Sequence, residues 1–144
     1  MPRILAVDWG ERRIGLAVSD PRGVIATGLE TLEVKSPGQA LERVIVVAAE
    51  VEADRIVVGL PLLLNGERGE AARAAQALAD ALAKRVSIPV DTYDERLTST
   101  ISQRRLREVG VRRTGHRKGR IDQGAAVALL ESYLHRLTAR GEGE

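Results

Sequence analysis

Residues 3–32 read RILAVDWGERRIGLAVSDPRGVIATGLETL, and this stretch decides the fold. Arg3–Asp8 is a short apolar run ending in an acid, the pattern of a buried strand. Trp9-Gly10-Glu11 turns the chain, and Arg13–Ser19 (RIGLAVS) forms a second strand. Asp20-Pro21-Arg22-Gly23 places Asp first, Pro second and Gly fourth, as a type I turn prefers. Val24–Leu32 then returns as a third strand. Connections this short join antiparallel strands, because a parallel pair needs a long crossover.

Beyond Ser36-Pro37-Gly38 the pattern changes to alternation. Gln39–Glu52 has helical spacing with Ser36 as its cap, Arg55–Leu60 (RIVVGL) is a strand stopped by Pro61, and Gly69–Arg85 is an alanine-rich helix. Val86–Tyr93 is a strand, Thr98–Val109 a helix, Gly110–Lys118 a basic loop and Gly119–Thr138 the last helix. The order β-β-β-α-β-α-β-α-α predicts an α/β domain, a five-stranded mixed sheet flanked by helices. It is expected to occupy residues 1–138, with 139–144 as a short polar tail.

The 144 residues suffice for one core, and 44% hydrophobic with 29% charged residues is a globular balance. Aromatics are 2% and Phe is absent, so Leu, Val, Ile and Ala fill the interior. Without Cys there is no disulfide, thiolate metal site or cysteine nucleophile, and His116 and His135 are too few for a histidine-rich zinc site. Ile4–Val7 is too short for a signal-peptide core. Val44–Val51 is far below the roughly 18 to 20 residues that span a bilayer. The expectation is a soluble cytoplasmic protein with no membrane partner.

The net charge of +2 conceals a block. Between Arg96 and Arg120 stand Arg96, Arg104, Arg105, Arg107, Arg112, Arg113, Arg117, Lys118 and Arg120 against one acid, Glu108, a local +8 that leaves −6 elsewhere. Such clustering suits a polyanion partner, although Arg-rich solvated helix faces give similar counts.

Three places carry candidate acids. Asp8 ends the first strand beside Gly10 and Gly15, which permit close backbone approach to a ligand; it is equally a turn former. Asp94-Glu95 closes the last strand, and alternation lets only one of the two share a face with Asp8. On a wheel of 100° per residue, Asp122 falls in the centre of the stripe formed by Ala126, Leu129, Tyr133 and Leu137. A carboxylate there needs a cation, a donor set or a cleft rim; alternatively it complements the helix macrodipole. An all-carboxylate cluster is an oxygen-donor site for Mg²⁺ or Mn²⁺. Beside a basic flank it suggests phosphodiester hydrolysis by two metal ions.

D8-W-G-E-R-R-I-G-L-A-V-S-D20, V57-V-G-L-P61 with N65-G66, D94-E-R-L-T-S-T100 and R117-K-G-R-I-D122-Q-G-A-A126 together closely resemble the YqgF family of RuvC-like, RuvX-type proteins. The likeness runs from about Ile4 to Leu137 with the motifs in order. It implies an RNase H-like fold and an acidic triad of Asp8, Glu95 and Asp122, serving both catalysis and metal binding. Arg12 stands where the family commonly has Lys, and Ser99 where Thr is frequent. The resemblance implies processing of the 5′ end of precursor small-subunit (16S) ribosomal RNA, part of ribosome biogenesis. The alternative is resolution of four-way DNA junctions, which would require a homodimer rather than a monomer. Arg12, Arg96, Arg104, Arg105, Arg112, Arg113, Arg117, Lys118 and Arg120 are expected on the nucleic acid. A non-catalytic nucleic-acid-binding module and half of an actin-like ATPase are the readings from other classes.

Overall fold

The computed structural model describes residues 3–10, 12–98 and 118–139, the last segment with side chains from 124 to 138. The strands are β1 (Ile4–Asp8), β2 (Arg13–Ser19), β3 (Ala26–Gly28), β4 (Leu32–Glu33), β5 (Arg55–Leu60) and β6 (Val90–Asp94). The helices are α1 (Pro37–Glu50), α2 (Glu70–Arg85) and α3 (Lys118–Ala139), with a 3-10 turn at Glu95–Thr98. The sheet runs β3-β2-β1-β5-β6. β1, β2 and β3 are antiparallel, whereas β5 lies parallel to β1 and β6 parallel to β5. This is the RNase H-like arrangement expected.

The predicted third strand is not continuous. β3 and β4 both pair with β2, yet Gly15 and Leu16 of β2 lie opposite three residues, Leu29, Glu30 and Thr31. One extra residue is a β-bulge, which breaks the ladder and bends the strand. The expected strand Val86–Tyr93 also shortens. Val86 caps α2, and pairing begins where the Ile56 N–H donates to the Pro89 carbonyl at 3.0 Å. Proline has no N–H to continue a ladder backward. α1 starts two residues early because Pro37 suits the first helical position and Ser36 Oγ accepts from the Gln39 N–H at 3.1 Å. The expected helix Thr98–Val109 and basic loop Gly110–Lys118 lie outside the described residues, apart from Thr98, which ends the 3-10 turn, and Lys118, which opens α3.

The Asp20 turn is as expected: the Gly23 N–H donates to the Asp20 carbonyl at 2.9 Å, with Gly23 at φ 69°. Asp20 Oδ1 accepts from Val24 and Ile25 N–H at 2.7 and 2.9 Å. These backbone donors hold its carboxyl down at about 2.

Strand alternation builds two cores. Leu5, Val7, Ile14, Leu16, Ile56, Val58 and Leu60 face α1 and α2, meeting Val44, Leu78 and Leu82. Ile4, Ala6, Ala17, Val57 and Tyr93 face α3 and pack on Ala126, Leu129, Leu130 and Tyr133. Full burial of a leucine such as Leu130 stabilises by roughly 1.5 to 3 kcal/mol. The scarce aromatics concentrate here, with Tyr93 and Tyr133 edge to face at 5.6 Å.

Candidate active site at the carboxyl ends of the parallel strands

β1, β5 and β6 run in one direction and end together. Ile4, Ala6 and Asp8 share one face of β1, the face covered by α3. On β6 the same face carries Tyr93, and two residues on, Glu95 continues that parity into the 3-10 turn. Asp8 and Glu95 therefore approach each other across β5 and are joined by a side-chain hydrogen bond.

Gly59 is the β5 residue between them. A Cβ at this position would sit 2.9 Å from Glu95 Cγ and 3.1 Å from Leu129 Cδ2. Only glycine leaves the Glu95 side chain room to cross the sheet. Thr98 Oγ1 donates to the Glu95 carbonyl at 2.7 Å, which closes the 3-10 turn. Ser132 Oγ of α3 donates to the Leu97 carbonyl at 3.4 Å and shares a 2.7 Å hydrogen bond with the Tyr93 hydroxyl.

Burial raises the Glu95 carboxyl first, then the charge and hydrogen bond of Asp8, then the charge of Asp94, together to about 9. Two carboxylates this close cannot both ionise without a counter-charge, so the pair holds a proton. Glu95 Oε2 is buried without a hydrogen-bond partner among the described residues. A buried, unsatisfied carboxylate oxygen in a carboxyl group next to a second carboxylate is a hard oxygen-donor set, and it fits a divalent cation.

Asp94 takes the other direction. Its carboxylate accepts from Arg96 Nε at 3.1 and 3.0 Å and from Nη2 at 2.7 Å, and this guanidinium holds its pKa below the usual range. Arg96 Nη1 also donates to the Leu64 carbonyl at 3.4 Å. Arg96, one of the residues expected on nucleic acid, also ties the loop after β5 to the end of β6. Neither Gly59 nor this clamp was singled out from the sequence. The glycine inside an otherwise apolar strand was the available signal.

Asp122 belongs to α3, but its side chain lies outside the described residues. Leu129 lies against Gly59 near the carboxyl end of β5, whereas Tyr133 accepts from Arg55 Nη1 at 3.0 Å at the start of that strand. α3 thus runs opposite to β5. Position 122, about 10 Å of helix before Leu129, falls at the end of the sheet that holds Asp8 and Glu95. The buried Ala126, Leu129, Tyr133 and Leu137 are the stripe on which the wheel places it.

Arg12 is exposed in the β1–β2 turn. Gly10 is required there for the turn itself, because a Cβ would overlap the Arg13 carbonyl. Arg104, Arg105, Arg107, Arg112, Arg113 and Arg117 fall outside the described residues. Lys118 and Arg120 are in the first turn of α3, their side chains likewise outside.

A parallel-edged mixed sheet with paired carboxylates at its strand ends defines an RNase H-like, RuvC-type fold. RuvC from Thermus thermophilus in complex with a Holliday junction superposes with a TM-score of 0.66 at 16% identity, over 99% of this chain and 98% of that one. The fowlpox virus resolvase in complex with junction DNA gives 0.58 at 11% identity, over 94% and 98%. At these identities the likeness establishes fold alone. The sequence goes further: the family described as "RuvX: Holliday junction resolvase" matches residues 2–136, and the chain belongs to that family. A Mycobacterium tuberculosis relative is 48% identical over 133 residues, 92% of this chain and 78% of its own. One from Chloroflexus aurantiacus is 44% identical over 131 residues, 91% and 85%. Both carry the provisional name pre-16S rRNA nuclease. The chain is an enzyme of the nuclease class. No helix among the described residues is long and apolar enough to cross a membrane.

Proposed function

We propose that this chain hydrolyses phosphodiester bonds in precursor 16S ribosomal RNA, trimming its 5′ end in the cytoplasm, with Asp8, Glu95 and Asp122 as the acidic set. The observation that carries this reading is the Asp8–Glu95 pair with its orphaned Oε2 at the strand ends. The names of these relatives supply the RNA substrate.

Mg²⁺ or Mn²⁺ held between these acids would activate water and neutralise charge on the cleaved phosphate. The chain's own residues set up that chemistry. Gly59 admits the Glu95 side chain across β5, and the Thr98 hydrogen bond fixes the backbone from which it projects. Asp8, at the end of a five-residue buried strand, cannot retreat from it. The resulting repulsion is relieved at neutral pH by a proton, which a cation bound there would displace.

The test incubates the protein with precursor 16S RNA, linear RNA, linear DNA and a four-way DNA junction, each with Mg²⁺, Mn²⁺ or EDTA. Cation-dependent cleavage of the precursor RNA is expected, and its loss in Asp8→Asn and Glu95→Gln. Preferred cleavage of the junction by a homodimer would replace the RNA assignment with the resolvase one. Undiminished cleavage in EDTA would remove the metal reading.

A further inference from the structure

The bulge opposite Gly15 and Leu16 has a neighbour on the sheet edge. Between β4 and α1 lies a groove of about 1030 Å³ whose walls carry Arg12, Arg13, Lys35 and Arg43, with Glu30 and Glu33 among them. Arg12 and Arg13 follow Asp8 across one tight turn, Arg13 pairs with Glu33 of β4, and Lys35 immediately precedes the α1 cap. The groove therefore opens at the end of the sheet where Asp8 and Glu95 meet, toward β4 and α1 rather than α3.

Its lining identifies what it suits. Pockets for small organic ligands are mostly apolar and reach about 1,000 Å³; this one is as large but ringed by charge. Glu33 is 4.0 Å from Arg13. Among the described residues Arg12, Lys35 and Arg43 form no ion pair. The α1 terminus contributes little by its own donors, because Gln39 N–H goes to Ser36 Oγ and Lys35 N–H to Gln39 Oε1 at 2.6 Å. The attraction for an anion comes from the side chains of Arg12, Lys35 and Arg43, with Arg13 engaged by Glu33. Thr31, a bulge residue in the lining, has a buried hydroxyl without a partner among the described residues.

We propose that this groove holds the phosphate backbone of the substrate strand as it runs away from the Asp8–Glu95 site. The proposal rests on the nuclease reading above and deepens it: among the described residues Arg12 is the one expected on nucleic acid that lines the groove, and Arg13, Lys35 and Arg43 are additions to that set. The bulge serves the groove by ending the β3 ladder and leaving β4 as a wall beside α1.

The test measures binding of a fluorescent single-stranded RNA to the full chain in EDTA, across a salt series. Neutralising Lys35 and Arg43 together (Lys35→Gln, Arg43→Gln) should reduce the slope of log affinity against log salt by roughly 1.4, two contacts at about 0.7 each. Lys84→Gln, in the last turn of α2 at the opposite end of the sheet, should leave the slope unchanged. Glu33→Gln removes a groove acid and should tighten binding by roughly twofold, a gain that misfolding does not produce. If the double variant melts lower than the parent, Arg43→Gln alone and Glu33→Gln carry the test. The same slope change on DNA of equal sequence identifies phosphate as the recognised group; a change confined to RNA adds the ribose hydroxyl. Unaltered slope and affinity in folded groove variants overturn the groove while leaving the nuclease reading intact. A parent that binds neither RNA nor DNA overturns both.

Discussion

Glu95 reaches over Gly59 to hydrogen-bond Asp8, so two acids 87 positions apart share one proton at the end of the sheet. That contact sets the pH behaviour and the steric tolerance of the site.

The first expectation concerns pH without metal. The folded chain keeps the Glu95 proton up to about 9, whereas an ordinary glutamate releases it near 4.5. Between these values the unfolded state binds fewer protons, so stability falls as pH rises; the contribution is complete below 4.5 and lost on passing 9. Glu95→Gln cannot ionise. Its unfolding free energy in EDTA should gain on the parent's throughout that window, with a slope of at most about 1.4 kcal/mol per pH unit. A difference independent of pH would show that Glu95 is not held protonated.

Cation binding should reverse the same linkage. Mg²⁺ or Mn²⁺ is expected to raise the parent's melting temperature and to release close to one proton near neutral pH. Titration calorimetry in buffers of different ionisation enthalpy reads the proton directly. Asp8→Asn should lose most of the metal-induced stabilisation, and an equal melting shift in that variant would exclude Asp8 as a ligand.

Gly59→Ala tests the geometry without touching an acid. Its Cβ would press on Glu95 Cγ at 2.9 Å and on Leu129 at 3.1 Å, and one of the two must move. Overpacking of this kind is destabilising by about 1 to 3 kcal/mol. Displacement of Glu95 should lower cleavage at least tenfold at temperatures where the variant remains folded. A folded variant cleaving at the parent's rate would show that Glu95 does not depend on this gap.

Asp94→Asn tests the clamp. The Asp94–Arg96 pair is partly exposed, so its loss should destabilise by no more than about 1 kcal/mol. Arg96 also donates to the Leu64 carbonyl, and freeing it should speed proteolysis within the loop between β5 and α2. Equal proteolysis rates in parent and variant would leave the clamp without a positioning role.

The meander, the β-α alternation and the stripe on the last helix followed from the sequence because they are local: turn chemistry at Asp20–Gly23 and the apolar periods need no distant partner. The candidate acids were also visible, since an acid ending an apolar strand departs from its own pattern. The choice between Asp94 and Glu95 was not, because successive strand residues point to opposite faces and alternation alone admits either residue. Tertiary structure separates them: β5 between β1 and β6 presents a glycine on the α3 face, while the other carboxylate is taken by Arg96. The bulge escaped for a similar reason, as Leu29–Thr31 read as strand until β2 supplied fewer residues than they required. Composition and period act along the chain; register, the space above Gly59 and the groove beside α1 exist only once distant strands are paired.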